Sequence, residues 1–203
     1  MKRIFTALIT CLLLFALLVT PASAISATGN ELPYDAYVYN NDTKPVSIPT
    51  PYIVKDTYNG QDIGVSSFTG ISDVFYKNDR IYITDSASNR IVVTDKNFNL
   101  IAEITGFDNN GVQEVFNEPN SCFANDKEIY IADTKNSRIV VLDCNTFAFK
   151  RIVGRPEISL LEEDYTYYPR DIVVDNAGRM YILAEGINQG MIRLDKNGTF
   201  TSF

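Results

Sequence analysis

The sequence predicts an all-β protein built from repeated four-stranded antiparallel sheets stacked face to face. Three observations predict it: a segment that recurs in fixed register 48 residues on, short strands apolar on both faces, and turn residues at the junctions between them.

The repeat is legible residue by residue. Phe68-Thr-Gly-Ile-Ser-Asp-Val-Phe75 returns as Phe116-Asn-Glu-Pro-Asn-Ser-Cys-Phe123. Arg80-Ile-Tyr-Ile-Thr-Asp85 returns as Glu128-Ile-Tyr-Ile-Ala-Asp133, and Arg90-Ile-Val-Val-Thr-Asp95 as Arg138-Ile-Val-Val-Leu-Asp143, always 48 residues later. A looser third copy runs through Tyr168-Pro169-Arg-Asp-Ile-Val-Val-Asp175, Arg179-Met-Tyr-Ile-Leu183 and Gly190-Met-Ile-Arg-Leu-Asp195; its register drifts, which puts extra residues in its turns.

Each copy reads as four strands. In the first they fall near Ser72–Tyr76, Arg80–Thr84, Arg90–Thr94 and Leu100–Thr105. Ile, Val, Tyr and Phe fill them, as suits a pleated surface. Asn78-Asp79, Lys96-Asn97, Asp175-Asn-Ala-Gly178 and Lys196-Asn-Gly198 supply turns. Runs such as Ile81-Tyr82-Ile83 and Ile91-Val92-Val93 are apolar on both faces, so one sheet alone cannot stay in water and must stack on its copies, as the blades of a β-propeller do. Helical repeats fail on the short, β-branched, Asn/Asp/Gly-broken segments. A β-sandwich leaves the fixed register unexplained. The expected blades are residues 68–105, 116–154 and 168–203.

The chain of 203 residues has a separate beginning. Met1-Lys2-Arg3 is basic, Ile4 to Val19 is apolar except for Thr6, Thr10 and Cys11, and Pro21-Ala22-Ser23-Ala24 offers an A-x-A site. Residues 1–24 read as a signal peptide for secretion to the extracellular space or cell surface. The run is short for a bilayer span of ~20 residues, which favours cleavage over an uncleaved anchor. Thr10 before Cys11 is not a lipoprotein signal. Residues 25–51 read as an extended arm.

Loss of the leader takes Lys and Arg from 18 to 16 against 25 acids, a net charge of −9. Such a domain repels phosphate backbones, so nucleic acid is not an expected partner. The chain has no histidine, which excludes Ser-His, Cys-His and His-metal chemistry within it. No Gly-rich phosphate loop occurs, and the neighbouring Glu162-Glu163 is not a positioned acid–base pair. Cys122 falls on a strand and Cys144 at a turn; buried free thiols are the simpler expectation, and a disulfide within the blade the other.

Residues 129–143, Ile-Tyr-Ile-Ala-Asp-Thr-Lys-Asn-Ser-Arg-Ile-Val-Val-Leu-Asp, resemble an NHL repeat, and Ile81 to Asp95 resemble a second. The third copy keeps the strands but has Ala184-Glu-Gly-Ile-Asn-Gln-Gly190 where the pattern has Asp, Asn and Arg. The resemblance covers residues 52–203 and implies a propeller. Tyr34-Asp-Ala-Tyr-Val-Tyr39, with Pro45, Pro49 and Pro51, resembles the leader region of exported bacterial NHL proteins. Asp85, Asp133, Asn89, Arg90 and Arg138 are expected to satisfy turn backbone and contacts between blades.

On a propeller, the turns 85–90, 133–138 and 184–190 share one face with the connectors 58–68, 106–118 and 154–168, and loops on a rigid scaffold commonly bind. Asp108 and Asn110 in one connector, with Tyr165 and Tyr167 in another, are the candidate ligand contacts. Rings that stack beside groups that orient suit a glycan, a peptide or a partner protein. The first expectation is therefore a non-catalytic binding or scaffold propeller without a cofactor. The resemblance also implies a second: related propellers include lactonases holding a divalent cation in the central channel, and Asp73, Asn120 and Asp171 are the matching positions for Ca²⁺ in a hydrolase.

The ring itself is not expected to be complete. Tyr52-Ile-Val-Lys-Asp-Thr57 aligns with the outer strand Leu100–Thr105 and would be a closing strand. Closure takes about four to eight blades. Three blades of an expected six leave apolar faces and strand edges that call for further blades or for self-association.

Overall fold

A computed structural model describes residues 37–48, 55–188 and 190–203. The leader, most of the arm and residues 52–54 of the expected closing strand lie outside the described residues. Residues 55–57 belong to no strand.

Two compact units are present. In the first, β1 (Tyr37–Tyr39) pairs with β2 (Pro45–Ser47) as an antiparallel hairpin, where an extended arm was expected. Asn40 makes the turn, its Oδ1 accepting from the backbone N–H of Asp42 and of Lys44.

The second unit contains the three expected sheets. Blade 1 is β3 (Ile71–Lys77), β4 (Arg80–Asp85), β5 (Arg90–Asp95) and β6 (Leu100–Ile104). A two-stranded insert, β7 (Gly106–Asn109) and β8 (Val112–Val115), follows. Blade 2 is β9 (Pro119–Ala124), β10 (Glu128–Asp133), β11 (Arg138–Asp143) and β12 (Phe149–Val153). Blade 3 is β13 (Tyr168–Val174), β14 (Met180–Glu185), β15 (Ile192–Leu194) and β16 (Phe200–Ser202). Every blade is an antiparallel meander in chain order. The strands of blade 1 therefore fall within a residue or two of their predicted places.

Turn chemistry fixes the register. Asn78 and Asn89 adopt left-handed backbone conformations at the first two turns of blade 1, with Asp79 beside Asn78, and Phe98 does so at the third. Ser137 takes the place of Asn89 in blade 2 at the same φ of 55°. Cross-strand pairs then recur: Val74 opposite Ile83, Cys122 opposite Ile131, Ile172 opposite Ile182.

The cores lie between the sheets. Tyr82, Ile91 and Val93 of blade 1 close on Cys122, Ile129, Ile131, Val140 and Leu142 of blade 2. Tyr130, Ile139 and Val141 on the other face of blade 2 close on Ile172, Met180, Ile182, Ile192 and Leu194 of blade 3. Each fully buried aliphatic side chain contributes roughly 1.5–3 kcal/mol relative to its exposed state. Cys122 and Cys144 are both free and buried in the first of these cores.

The Asp and Arg of each NHL-like signature latch the blade to the connector that precedes it. Asp85 is wholly buried and accepts from the N–H groups of Thr69 (3.2 Å) and Gly70 (2.9 Å). Arg90 donates to Asp85, to Glu103 at 2.8 Å, and to the carbonyls of Ser66 and Ser67 at 2.9 and 3.0 Å. That holds a connector carrying the short helix Gly60–Ile63, an element the strand pattern does not predict; Asn59 and Asp62 form its capping box. In blade 2, Asp133 accepts from Asn117 N–H at 2.8 Å, and Arg138 bonds Asp133 at 2.7 Å, Glu114 and the carbonyl of Val115.

The depth of these latches sets two expected outcomes. Arg90→Ala leaves the Asp85 carboxylate buried without its counter-charge, which costs about 3–5 kcal/mol. Arg138 is more exposed than Arg90, so Arg138→Ala should cost less; urea unfolding of both variants checks the order. Burial alone would raise the Asp85 carboxyl, but the N–H of Gly70, Ser88, Arg90 and the N–H of Thr69 together hold it below its ordinary value. Its contribution is therefore present above the unfolded pKa of about 3.9 and lost as pH falls through the lower folded value. Urea midpoints measured across that acid range should fall less steeply with pH in Asp85→Asn than in the parent protein.

Candidate functional site

The third blade lacks the latch. Ala184 stands where blades 1 and 2 have the buried Asp, and Gly190 where they have the Arg. The connector before blade 3, residues 154–167, is held by other means. Tyr167 and Ile158 insert into the core between blades 2 and 3. Gly186, in a left-handed conformation at φ +94°, lets the connector pass; a Cβ there would stand 2.3 Å from the Thr166 carbonyl oxygen. Arg155 donates to the Tyr165 carbonyl at 2.9 Å and lies 4.9 Å from the centre of its ring. The Tyr165 hydroxyl donates to the Pro156 carbonyl. Backbone bonds from Leu161 to Ile158 and from Tyr165 to Glu162 close the loop on itself.

A loop that folds on its own contacts leaves a hollow. It is a depression of about 550 Å³ lined by residues of 155–165, among them Arg155, Tyr165, Glu157, Glu162 and Glu163. The three carboxylates are exposed, and Ile158 and Leu161 give the floor an apolar part.

The four residues proposed from sequence as ligand contacts have different settings. Tyr165 is half-buried and lines the depression. Tyr167 is 2% exposed, its ring is packing and its hydroxyl has no partner among the described residues; burial pushes its phenol far above the ordinary value. Asp108 and Asn110 sit at the tip of the β7–β8 hairpin. Asp108 accepts from Gly111 N–H (2.6 Å) and Gln113 (3.0 Å), and Asn110-Gly111 makes the turn with both residues at positive φ. The turn 133–138 touches both regions: Asn136 donates to the Val115 carbonyl at 3.2 Å, and the Lys135 ammonium lies 5.3 Å from the Tyr168 ring. No hydrogen bond or ring contact among the described residues joins Asp108 or Asn110 to Tyr165.

The β7–β8 hairpin has a sequence signal of its own. Asn-Gly between Gly106-Phe-Asp-Asn109 and Val112-Gln-Glu-Val115 is a strong short-range hairpin mark, but the strands are too short and polar to stand out by apolar pattern.

The three positions proposed for Ca²⁺ serve as ties between neighbouring innermost strands. Asp73 accepts from Cys122 N–H at 3.0 Å, Asp171 from the Ser121 hydroxyl at 2.8 Å, and Asn120 from Arg170 at 2.9 Å. Among the described residues no group of three or more Asp, Glu, Cys or His converges to hold a metal ion. Each of the three side chains proposed for the ion thus has a protein partner.

Four-stranded meanders stacked through successive innermost strands define a β-propeller, and this chain supplies three consecutive blades. No family model matches the chain, and no curated protein matches it. Among solved structures, it is similar to Kuenenia stuttgartiensis hydrazine synthase, with 16% identity, a TM-score of 0.44, and coverage of 61% of this chain and 33% of that one. A protein of unknown function from Bacteroides caccae is similar at 12% identity and TM-score 0.46, over 63% and 46% of the two chains. Virginiamycin B lyase from Staphylococcus aureus is similar at 18% identity and TM-score 0.37, over 82% and 47%. The chain spans less than half the length of each of these structures.

Burial raises both cysteine thiols, that of Cys122 to about 12. Neither should react with a thiol reagent at a mildly alkaline pH of about 8 in the folded protein, and both should react after unfolding; mass spectrometry counts the adducts.

Proposed function

We propose that the protein is an exported, non-catalytic propeller of NHL type that binds a peptide or glycan in the depression of the third connector. One observation carries this reading: where the third copy departs from the repeat, at Ala184 and Gly190, the chain builds a polar hollow with an aromatic wall instead of a latched connector. The aromatic face of Tyr165 offers a stacking surface, and Glu157, Glu162 and Glu163 offer acceptors for hydroxyl or ammonium groups. Among the lining residues no acid–base or nucleophilic pair accompanies them. The apolar run at residues 4–19 and the acid excess support export and disfavour nucleic acid.

Glycan and peptide arrays probed with the purified protein are the direct test. Binding should be reduced at least roughly tenfold, as expected for the loss of charge-assisted hydrogen bonds, by Glu162→Gln with Glu163→Gln, which leaves the connector's own hydrogen bonds in place. Ligands that bind the double variant as well as the parent would exclude this depression.

A further inference from the structure

Three Asn-Gly pairs occur in the chain: Asn59-Gly60, Asn110-Gly111 and Asn197-Gly198. In this dipeptide the backbone can attack its own side chain, because glycine sets no Cβ in the way. The Gly nitrogen gives up its proton to solvent base and bonds to the Asn Cγ. The Cγ–Nδ2 bond breaks, ammonia leaves, and a succinimide ring remains. Water then opens the ring at one carbonyl or the other, giving Asp or isoaspartate; nothing is oxidised or reduced. Two freedoms are required: a Gly N–H able to lose its proton, and an Asn side chain able to turn onto the nitrogen.

The structure sets the three pairs differently. Asn59 is held as a helix cap, its Oδ1 accepting from the N–H groups of Gln61 at 2.9 Å and Asp62 at 3.1 Å. The Gly198 N–H donates to the Asp195 carbonyl at 3.1 Å. Asn110 and Gly111 are exposed at the tip of the β7–β8 hairpin, both at positive φ. The Asn110 amide has one partner among the described residues, the exposed Asn109 Oδ1 at 3.2 Å, so little restrains it. Its nucleophile is restrained instead. The Gly111 N–H donates to a carboxylate oxygen, Asp108 Oδ1, at 2.6 Å, and the other oxygen, Oδ2, accepts from Gln113 at 3.0 Å. A negative charge this close opposes a second one on the amide nitrogen, so the proton that must leave is held.

The hairpin has structural work that the reaction would undo. It carries Glu114, which pairs with Arg138, and Phe107, which stacks on Phe149 at 4.9 Å. Isoaspartate lengthens the backbone at a two-residue turn whose both positions are at positive φ, and the pairing of β7 with β8 depends on that turn.

We infer that Asn110 is a latent site of deamidation and that Asp108 keeps it closed by holding the Gly111 N–H. This assigns Asp108 a chemical task inside the hairpin, independent of any ligand in the third connector.

The purified protein, incubated warm at mildly alkaline pH, is the test, with peptide mass spectrometry following the replacement of the Asn110 amide by a carboxylate. The folded parent should react several-fold more slowly than the same protein in urea. Asp108→Ala should react several-fold faster than the parent when folded and at the parent's rate in urea. Gln113→Ala removes the second contact to Asp108 but leaves the Gly111 N–H bonded, so its rate should stay near the parent's. A folded Asp108→Ala variant no faster than the parent overturns the inference. So does a Gln113→Ala variant as fast as Asp108→Ala, because loosening of the hairpin would then account for both.

Discussion

A thin sheet that is apolar on both sides can be stable in water only if each side is covered, and this requirement organises the molecule. Ile91 and Val93 point one way from β5 and Val92 the other, and all three are wholly buried. Ile91 and Val93 are covered by the next copy of the same sheet, and Val92 by Ile63 and Val65 of the preceding connector. Repetition at 48 residues is therefore the means by which two-sided apolar strands are shielded by each other. The same pattern leaves Val74 and Tyr76 of blade 1 and Val173, Leu183 and Met191 of blade 3 exposed among the described residues.

Polar groups then decide how the cover is held. In blades 1 and 2, a buried Asp collects the N–H groups of the incoming connector while an adjacent Arg collects its carbonyls. Neither charge would be tolerable alone at that depth, and each is satisfied by the other and by backbone. Because these groups are spent on structure, the signature residues have nothing left for a ligand. Blade 3 lacks the latch, and its connector is held on Tyr167, Ile158 and the Arg155–Tyr165 contact, beside a hollow.

The propeller class and the strands of blade 1 are legible in the sequence because they rest on local rules: a period, strand composition and turn residues. The capping box of Asn59 and Asp62 and the Asn110-Gly111 hairpin obey local rules just as plainly, yet elements of four residues carry too little apolar pattern to be seen between stronger ones. The site residues are legible only by type. Tyr165 and Tyr167 look alike in sequence, two residues apart in one acidic, aromatic connector. One lines the depression and the other is sealed in the core, a difference set by which way the backbone turns against blades that lie far away in sequence. Asp73 and Asp171 likewise read as free oxygen donors until the neighbouring strand's Cys122 N–H and Ser121 hydroxyl are brought to them.

By itself the sequence determined the unit, its strands, its turns and its need to be stacked, because periodicity and backbone preference act within a few residues. It also determined the absence of imidazole chemistry, since no histidine occurs. Only the tertiary structure decided which apolar side chains are buried and which exposed, which carboxylates are consumed by joints, and that residues 155–165 enclose a depression. Those outcomes depend on distances between residues about 50 apart in the chain, and packing, not local preference, fixes such distances.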